Sequence, residues 1–171
     1  MIERMSNMII LGIDPGTIVT GYGLISYRES GSTIIDYGCV RPPAKETLSR
    51  RYWILFQALS SLVAKHTPHA IAVETQFVHK NPQGAIKLGM ARCTAILAAE
   101  QHHVPIYEYT PRVAKQAVVG HGGASKHQVQ KMIQLLLQLP KLPEPQDAAD
   151  ALALALCHGH AARMTTLRGT L

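Results

Sequence analysis

Two short apolar segments each end in a carboxylate. The first, residues 9–13, leads into Asp14-Pro15-Gly16, and the second, residues 70–73, leads into Glu74. Unbroken apolar runs of this length are typical of strands covered on both faces of a sheet. An unpaired carboxylate at such a place is costly, so Asp14 could face a cation or a ligand group. It could equally begin the Asp-Pro-Gly turn through its own hydrogen bonds, and this stretch alone favours neither interpretation.

A second acidic pair, Asp147 and Asp150, opens the last long apolar segment. On a helix, residues three apart share a face and lie about 4.5 Å apart along the axis. Residues 151–157 are almost wholly apolar, so we expect a helix that is anchored in the core and holds its acidic first turn rigid. Favourable charge at a helix N-terminus would explain Asp147, but it would not explain two acidic strand ends.

Strand-end carboxylates lie at the edge of a sheet where ligands bind in such folds. Four carboxylates gathered there repel one another unless cations neutralise them. Oxygen-only ligation favours Mg²⁺ or Mn²⁺ over zinc. Two such ions about 4 Å apart activate a water and stabilise the leaving oxygen in phosphodiester cleavage. The sequence therefore predicts a catalytic metal site made of Asp14, Glu74, Asp147 and Asp150. His158 and His160 lie two to three helical turns farther along, and we interpret them as surface or interface residues.

The charge balance suits a polyanionic substrate. There are 17 Lys and Arg residues against 11 Asp and Glu residues, a net charge of +6. Setting the four site carboxylates aside leaves only seven acidic residues on the rest of the chain. A basic body around an acidic centre fits a polyanion bound through metal, although an ordinary basic protein has the same charge.

Length and composition predict one domain. We expect residues 1–163 to form it and residues 164–171 to be a loose tail, since 171 residues with 47% hydrophobic content can bury a real core. No apolar run is long enough for a membrane span, and the opening residues do not resemble a signal peptide. Three widely spaced cysteines indicate reduced core thiols and a cytoplasmic location.

The pattern of elements predicts an α/β fold. Alternating segments at 20–28 and 33–40, joined by a turn at 29–32, precede a further strand at 104–109. With the two acid-ending strands they give a mixed five-stranded sheet, in which three antiparallel strands are followed by two parallel ones. Helical periodicity, caps and breakers place the flanking helices at about 46–66, 81–102, 110–120, after Ser125, and at about 147–162.

The helix over residues 81–102 has almost no polar face. Between Gly84 and Ala99 its clearly polar side chains are Lys87, Arg92 and Thr94, and several residues are small. A helix that covers one side of a sheet needs only an apolar stripe, so we expect this one to be buried on two sides. A chain of this length offers few layers to cover it, which predicts a homodimer through the 81–102 helix.

Beyond these separate features, the sequence resembles the RuvC family, the bacterial Holliday-junction resolvases, whose fold is RNase H-like. The blocks that carry the resemblance run in order from about Ile9 to His160: Gly12-Ile13-Asp14-Pro15-Gly16, Thr20-Gly21-Tyr22-Gly23, Val73-Glu74-Thr75-Gln76-Phe77, Lys80-Asn81, Lys87-Leu88-Gly89-Met90-Ala91-Arg92, Lys115-Gln116-Ala117-Val118-Val119-Gly120 and Asp147-Ala148-Ala149-Asp150-Ala151-Leu152-Ala153.

The resemblance implies a Mg²⁺-dependent endonuclease that resolves four-way junctions in DNA recombination and repair. It implies that the four acids hold two metal ions, that Lys115 and Lys126 contact DNA near the scissile phosphate, and that Phe77 stacks on a base. It also implies RuvA and RuvB as partners. The lysines could instead be solvated and Phe77 could belong to the core, and variation at Thr75-Gln76 leaves the base preference open.

Three other functions compete. The Asp-Pro-Gly-Thr segment also resembles the phosphate loop of actin-like ATPases and sugar kinases, but those need two related domains and give Asp147 and Asp150 no role. A catalytically silent DNA-binding protein ranks last, because all four acids are present. Another RNase H-like nuclease, acting on RNA or on DNA without a junction, is the nearest alternative.

Overall fold

The computed structural model describes residues 7–28, 30–75 and 81–168, with side chains to residue 165. A five-stranded sheet has the order β3-β2-β1-β4-β5. β1 pairs antiparallel with β2 and parallel with β4, β2 pairs antiparallel with β3, and β4 pairs parallel with β5. The predicted mixed sheet is confirmed. The strands are β1 (Met8–Asp14), β2 (Thr20–Tyr27), β3 (Thr33–Val40), β4 (Ala70–Glu74) and β5 (Ile106–Tyr109).

Helices cover both faces of the sheet. They are α1 (Leu48–His66), α2 (Pro82–Gln101), α3 (Pro111–Val119), α4 (Lys126–Leu136) and α5 (Gln146–Arg168). Successive β1 side chains point to opposite faces, so Ile10 joins the core beneath α3, α4 and α5 while Leu11 joins the core beneath α1 and α2. Burial of β1 between two helical layers explains its unbroken apolar sequence.

Local signals begin the helices where the sequence predicts. Thr47, Asn81, Thr110 and Ser125 each accept a hydrogen bond from a backbone N–H in the first turn of the helix that follows. These side chains satisfy donors that have no partner within the helix. Ser125 completes a capping box, because its own N–H donates to the side chain of Gln128.

The central element is α5, which packs against β1 and β2 at backbone distance. A Cβ added to Gly12 would lie 1.9 Å from the carbonyl oxygen of Ala151, and one added to Gly21 would lie 2.0 Å from that of Asp147. No side chain fits at either glycine without moving the helix. Residues 151–159 of α5 are all buried as a result of this close approach.

The end of α5 differs from its predicted position. The helix continues to Arg168, whereas the sequence predicted an end at about residue 162. Ala161, Ala162, Arg163 and Met164 all favour helix, and the first breaker after them is Gly169. Residues 169–171 lie outside the described part of the chain.

Two predictions about surface and core are also wrong. His158 is only 4% exposed: its ring stacks on Tyr107 with centroids 4.2 Å apart, and its Nδ1 lies 2.8 Å from the hydroxyl of Tyr109. The buried length of α5 extends past the acids, and the tyrosine gives the imidazole a partner. Of the three cysteines, all free thiols, Cys157 is buried but Cys93 is exposed on α2.

Among the described residues, no helix has the length and apolarity needed to cross a membrane.

Candidate active site

The two strand-end acids come together through the sheet register. Ile13 of β1 pairs with Val73 of β4, so Asp14 and Glu74 follow at the same level on neighbouring parallel strands. Adjacent strands lie about 4.8 Å apart, which brings the two carboxylates to one edge of the sheet.

Hydrogen bonds between Gly16 and Thr20 hold the connection that follows Asp14. Thr20, only 1% exposed, donates its hydroxyl proton to the carbonyl of Gly16 at 2.8 Å and accepts from the Gly16 N–H at 3.2 Å. This paired hydrogen bond closes the β1–β2 connection beside Asp14. Gly16 and Thr20 thus hold the connection, while Asp14 lines a cavity together with three other acids.

The second acidic pair reaches the same place on the first turn of α5. The close contact between Gly21 and the Asp147 carbonyl sets this turn directly over the start of β2. Because Gly21 pairs with Asp14 in the sheet, the helix acids stand beside the strand acids.

All four carboxylates line one cavity of about 380 Å³. Two cationic side chains share its wall, Lys115 from α3 and Lys126 from α4. Apolar residues of the connecting elements complete it: Val19, Pro111, Ala114, Val129 and Ala153. These apolar walls could not be predicted from the sequence, since they come from four separate segments.

The electrostatics of the cavity disfavour negative charge. Burial raises the pKa of Asp14 to about 8, with further contributions from Glu74, Asp150 and Asp147, while Lys126 opposes the rise. Burial also raises the pKa of Asp150; Lys126 opposes this effect, Asp147 adds to it and Lys115 weakly opposes it. A cavity that raises the pKa of its carboxyl groups in this way destabilises their ionised form, and bound cations would offset that effect.

Lys126 makes a direct ion pair that the sequence did not predict. Its Nζ lies 3.9 Å from Oδ2 of Asp150. Lys126 follows the Ser125 cap and is the first residue of α4, where the helix dipole slightly disfavours a cation. The ion pair with Asp150 counteracts this effect.

Phe77, the residue expected to stack on a base, lies outside the described part of the chain. The other six predicted site residues surround the one cavity.

The RuvC family model, described as crossover junction endodeoxyribonuclease RuvC, matches residues 10–158. The chain is 56% identical to the protein of that name from Protochlamydia amoebophila, over 90% of this chain and 92% of the relative. It is 49% identical to the one from Chlamydia abortus, over 93% and 98% of the two chains.

A solved structure is similar throughout the fold. Thermus thermophilus RuvC in complex with a Holliday junction substrate has a TM-score of 0.88 and 34% identity, covering 93% of this chain and 97% of that one. The fold is accordingly RNase H-like. On sequence and structure together, the chain belongs to the RuvC family of crossover junction endodeoxyribonucleases.

Proposed function

We propose that this protein resolves Holliday junctions by paired symmetric nicks, using divalent metal ions, in homologous recombination and DNA repair. The observation that carries the proposal is the single cavity in which four carboxylates meet two lysines. The basic surface, with a net charge of +6, supports binding of a DNA polyanion around that acidic point.

The donor set fits magnesium. Asp14, Glu74, Asp147 and Asp150 offer only oxygen ligands, which suit Mg²⁺, with Mn²⁺ as a substitute. Within the described ranges no three His, Cys, Asp or Glu side chains are grouped tightly enough to hold a metal ion as they stand. Support for the site is therefore the shared cavity and its chemistry. Two bound ions would activate a water and stabilise the leaving oxygen.

Other residues of the chain are proposed to contact the DNA and to limit water at the site. Lys115 and Lys126 line the same cavity as the acids, where their ammonium groups can meet the phosphate being cut. Phe77 is proposed to stack on a base at the junction, as the resemblance to the RuvC family implies. The apolar walls limit the water around the reacting phosphate.

Substrate shape is the decisive test. Single-turnover nicking would be followed on a labelled four-way junction, a linear duplex of the same arms and an RNA–DNA hybrid in Mg²⁺. We expect the junction to be cut at least about tenfold faster than either other substrate, a difference of ~1.4 kcal/mol in the barrier. Asp147→Asn, purified in parallel, excludes a contaminating nuclease. Equal rates on junction and duplex would contradict junction resolution and favour a general RNase H-like nuclease.

The exposed side of α2 supports a homodimer. One side of the helix is buried through Ala91, Ala95 and Ala98, but Ile86 on the other side is 65% exposed and Leu97 is 54% exposed. Leu97 also lines an apolar groove between α1 and α2, with Tyr52, Trp53 and Phe56. A second copy of the chain could cover this surface, since a two-fold interface is self-complementary. The same two-fold axis would relate two active sites in the way that a four-way junction relates two of its strands.

Gly89→Glu is expected to break the dimer and leave the protomer folded. Nothing lies within 4 Å of a Cβ at Gly89, so the monomer has room for the side chain. In a dimer through α2 the new carboxylate would be buried without a partner, weakening association about a hundredfold, or ~3 kcal/mol. Sedimentation velocity over a concentration series measures the change, and products nicked on one strand should replace paired cuts.

Gly123→Glu is the matched control, because the nearest heavy atom to a Cβ there is 3.9 Å away and the residue is remote from α2 in sequence. It should sediment as the wild type does. A native protein that is monomeric at micromolar concentration and still makes paired cuts would rule the dimer out.

Such an enzyme would work in the cytoplasm on chromosomal junctions. The RuvA and RuvB branch-migration proteins are the partners proposed for it.

A further inference from the structure

The positive charge of Lys126 is favoured by the acidic cavity and disfavoured by the dipole of its own helix. Its side chain is 62% exposed and reaches Asp150, whose side chain is 21% exposed, across 3.9 Å. As the first residue of α4 it stands at the positive end of the helix dipole. The carboxylates of the cavity are what favour an ammonium group at this position.

The two lysines of the cavity differ in this respect. Both line it, but among the described residues only Lys126 lies within 4.0 Å of a carboxylate oxygen there. Lys126 also acts electrostatically on Asp14, the acid at the end of β1 that lines the same cavity. Lys115 therefore provides a matched comparison: the same residue type in the same cavity without the ion pair.

An ammonium group and a divalent cation compete for the same carboxylate oxygen. Each favours Asp150 by neutralising it, and they repel each other when both are close. The lysine stem is flexible and ends in a compact charge, so Lys126 can leave Asp150 by rotation about its side-chain bonds.

We propose that Lys126 is a resident counter-ion of the acidic cavity, which pairs with Asp150 until a divalent cation binds and is then released towards the phosphate of the DNA. This inference rests on the proposed function and adds a second state for one residue. The same ammonium group thus neutralises the acids before metal binding and meets the substrate after it.

Magnesium binding to the DNA-free protein tests the exchange without using activity. Isothermal titration calorimetry would compare the wild type with Lys126→Met, Lys126→Arg and Lys115→Met. Removing the competing charge in Lys126→Met should tighten Mg²⁺ binding about fivefold, as expected for an exposed ion pair. Lys126→Arg keeps the charge and should stay near the wild type, and Lys115→Met should change the affinity less than Lys126→Met does.

Three results would overturn the proposal. They are unchanged or weaker Mg²⁺ binding by Lys126→Met, equal tightening by Lys115→Met, and equal tightening by Lys126→Arg. Equal tightening by Lys115→Met would mean that any positive charge in the cavity weakens Mg²⁺ binding, with no special part for the pair of Lys126 and Asp150. Thermal unfolding of each variant without metal confirms that the titrated proteins are folded, which a 62% exposed side chain makes the expected outcome.

Asp150→Asn separates this inference from the proposed function. If Asp150→Asn binds Mg²⁺ as the wild type does, the metal site itself is wrong. If it loses Mg²⁺ while Lys126→Met leaves the affinity unchanged, the metal site stands and the counter-ion role alone fails.

Discussion

Asp14→Asn should reduce junction cleavage by at least about a thousandfold while leaving junction binding intact. The change replaces a carboxylate that we propose binds metal with a neutral amide of nearly the same shape, in the lining of the acidic cavity. We expect DNA affinity to come mainly from the basic residues, so that removing a negative charge strengthens it slightly. Single-turnover cleavage in Mg²⁺ and gel-shift titration of the same junction measure the two quantities. Glu74→Gln, Asp147→Asn and Asp150→Asn should behave in the same way.

Asp36→Asn is the control for this experiment. Asp36 lies on β3, with one oxygen 3.7 Å from His66, and does not line the acidic cavity. Its replacement should leave both cleavage and binding close to the wild type. If Asp14→Asn cuts at a near-native rate in Mg²⁺, the assignment of the active site is wrong.

Without metal, the protein should lose stability as the pH rises, and Asp14→Asn should abolish much of this loss. The pKa of Asp14 is about 8 in the folded protein, against an ordinary value of 3.8, chiefly because of burial. Between these values the folded state holds a proton that the unfolded state has released. Stability is therefore highest below about pH 4 for this group and falls as the pH rises towards 8. The full effect of this shift is on the order of 6 kcal/mol.

Urea unfolding in a chelating buffer at pH 5 and pH 9 measures this dependence. Asp14→Asn should be the more stable protein at pH 9, and the advantage should shrink at pH 5. His158 contributes in the opposite direction, since burial lowers its pKa and stability is lost as the pH falls through the ordinary histidine range. Comparing variant with wild type at each pH cancels that contribution. If Asp14→Asn is no more stable than the wild type at pH 9, the cavity does not destabilise the ionised form of the Asp14 side chain.

Features encoded by neighbouring residues could be predicted from the sequence. The strand Ala70–Glu74 and the start of α3 at Thr110-Pro111 match their predicted positions, because apolar runs, caps and prolines act over a few residues. The mixed sheet of three antiparallel and two parallel strands could also be predicted, since a hairpin and two acid-ending strands leave few arrangements. The four acids could be proposed as one site because parallel strands end at a common edge.

Features that depend on which elements meet could not be predicted in this way. His158 appeared polar and exposed in sequence, but its partners Tyr107 and Tyr109 come from a strand about fifty residues earlier. The pairing of Lys126 with Asp150 joins α4 to α5 across a connection that the sequence only marked as rigid. The surface of α2 that we propose for a homodimer illustrates the same point: the sequence showed a helix that is apolar nearly all round, and the fold identifies which side is left exposed.

The glycines beneath α5 have a consequence for how this active site can vary. At Gly12 and Gly21 the main chain of the sheet meets the main chain of the helix, with no side chain between them. The separation between the strand backbone that carries Asp14 and the helix backbone that carries Asp147 and Asp150 is therefore set by van der Waals contact between main-chain atoms and not by an intervening side chain. Substitutions elsewhere in the two cores can alter stability without changing this contact directly. The sequence can therefore vary over much of the interior while the two backbones that carry the acids keep their separation.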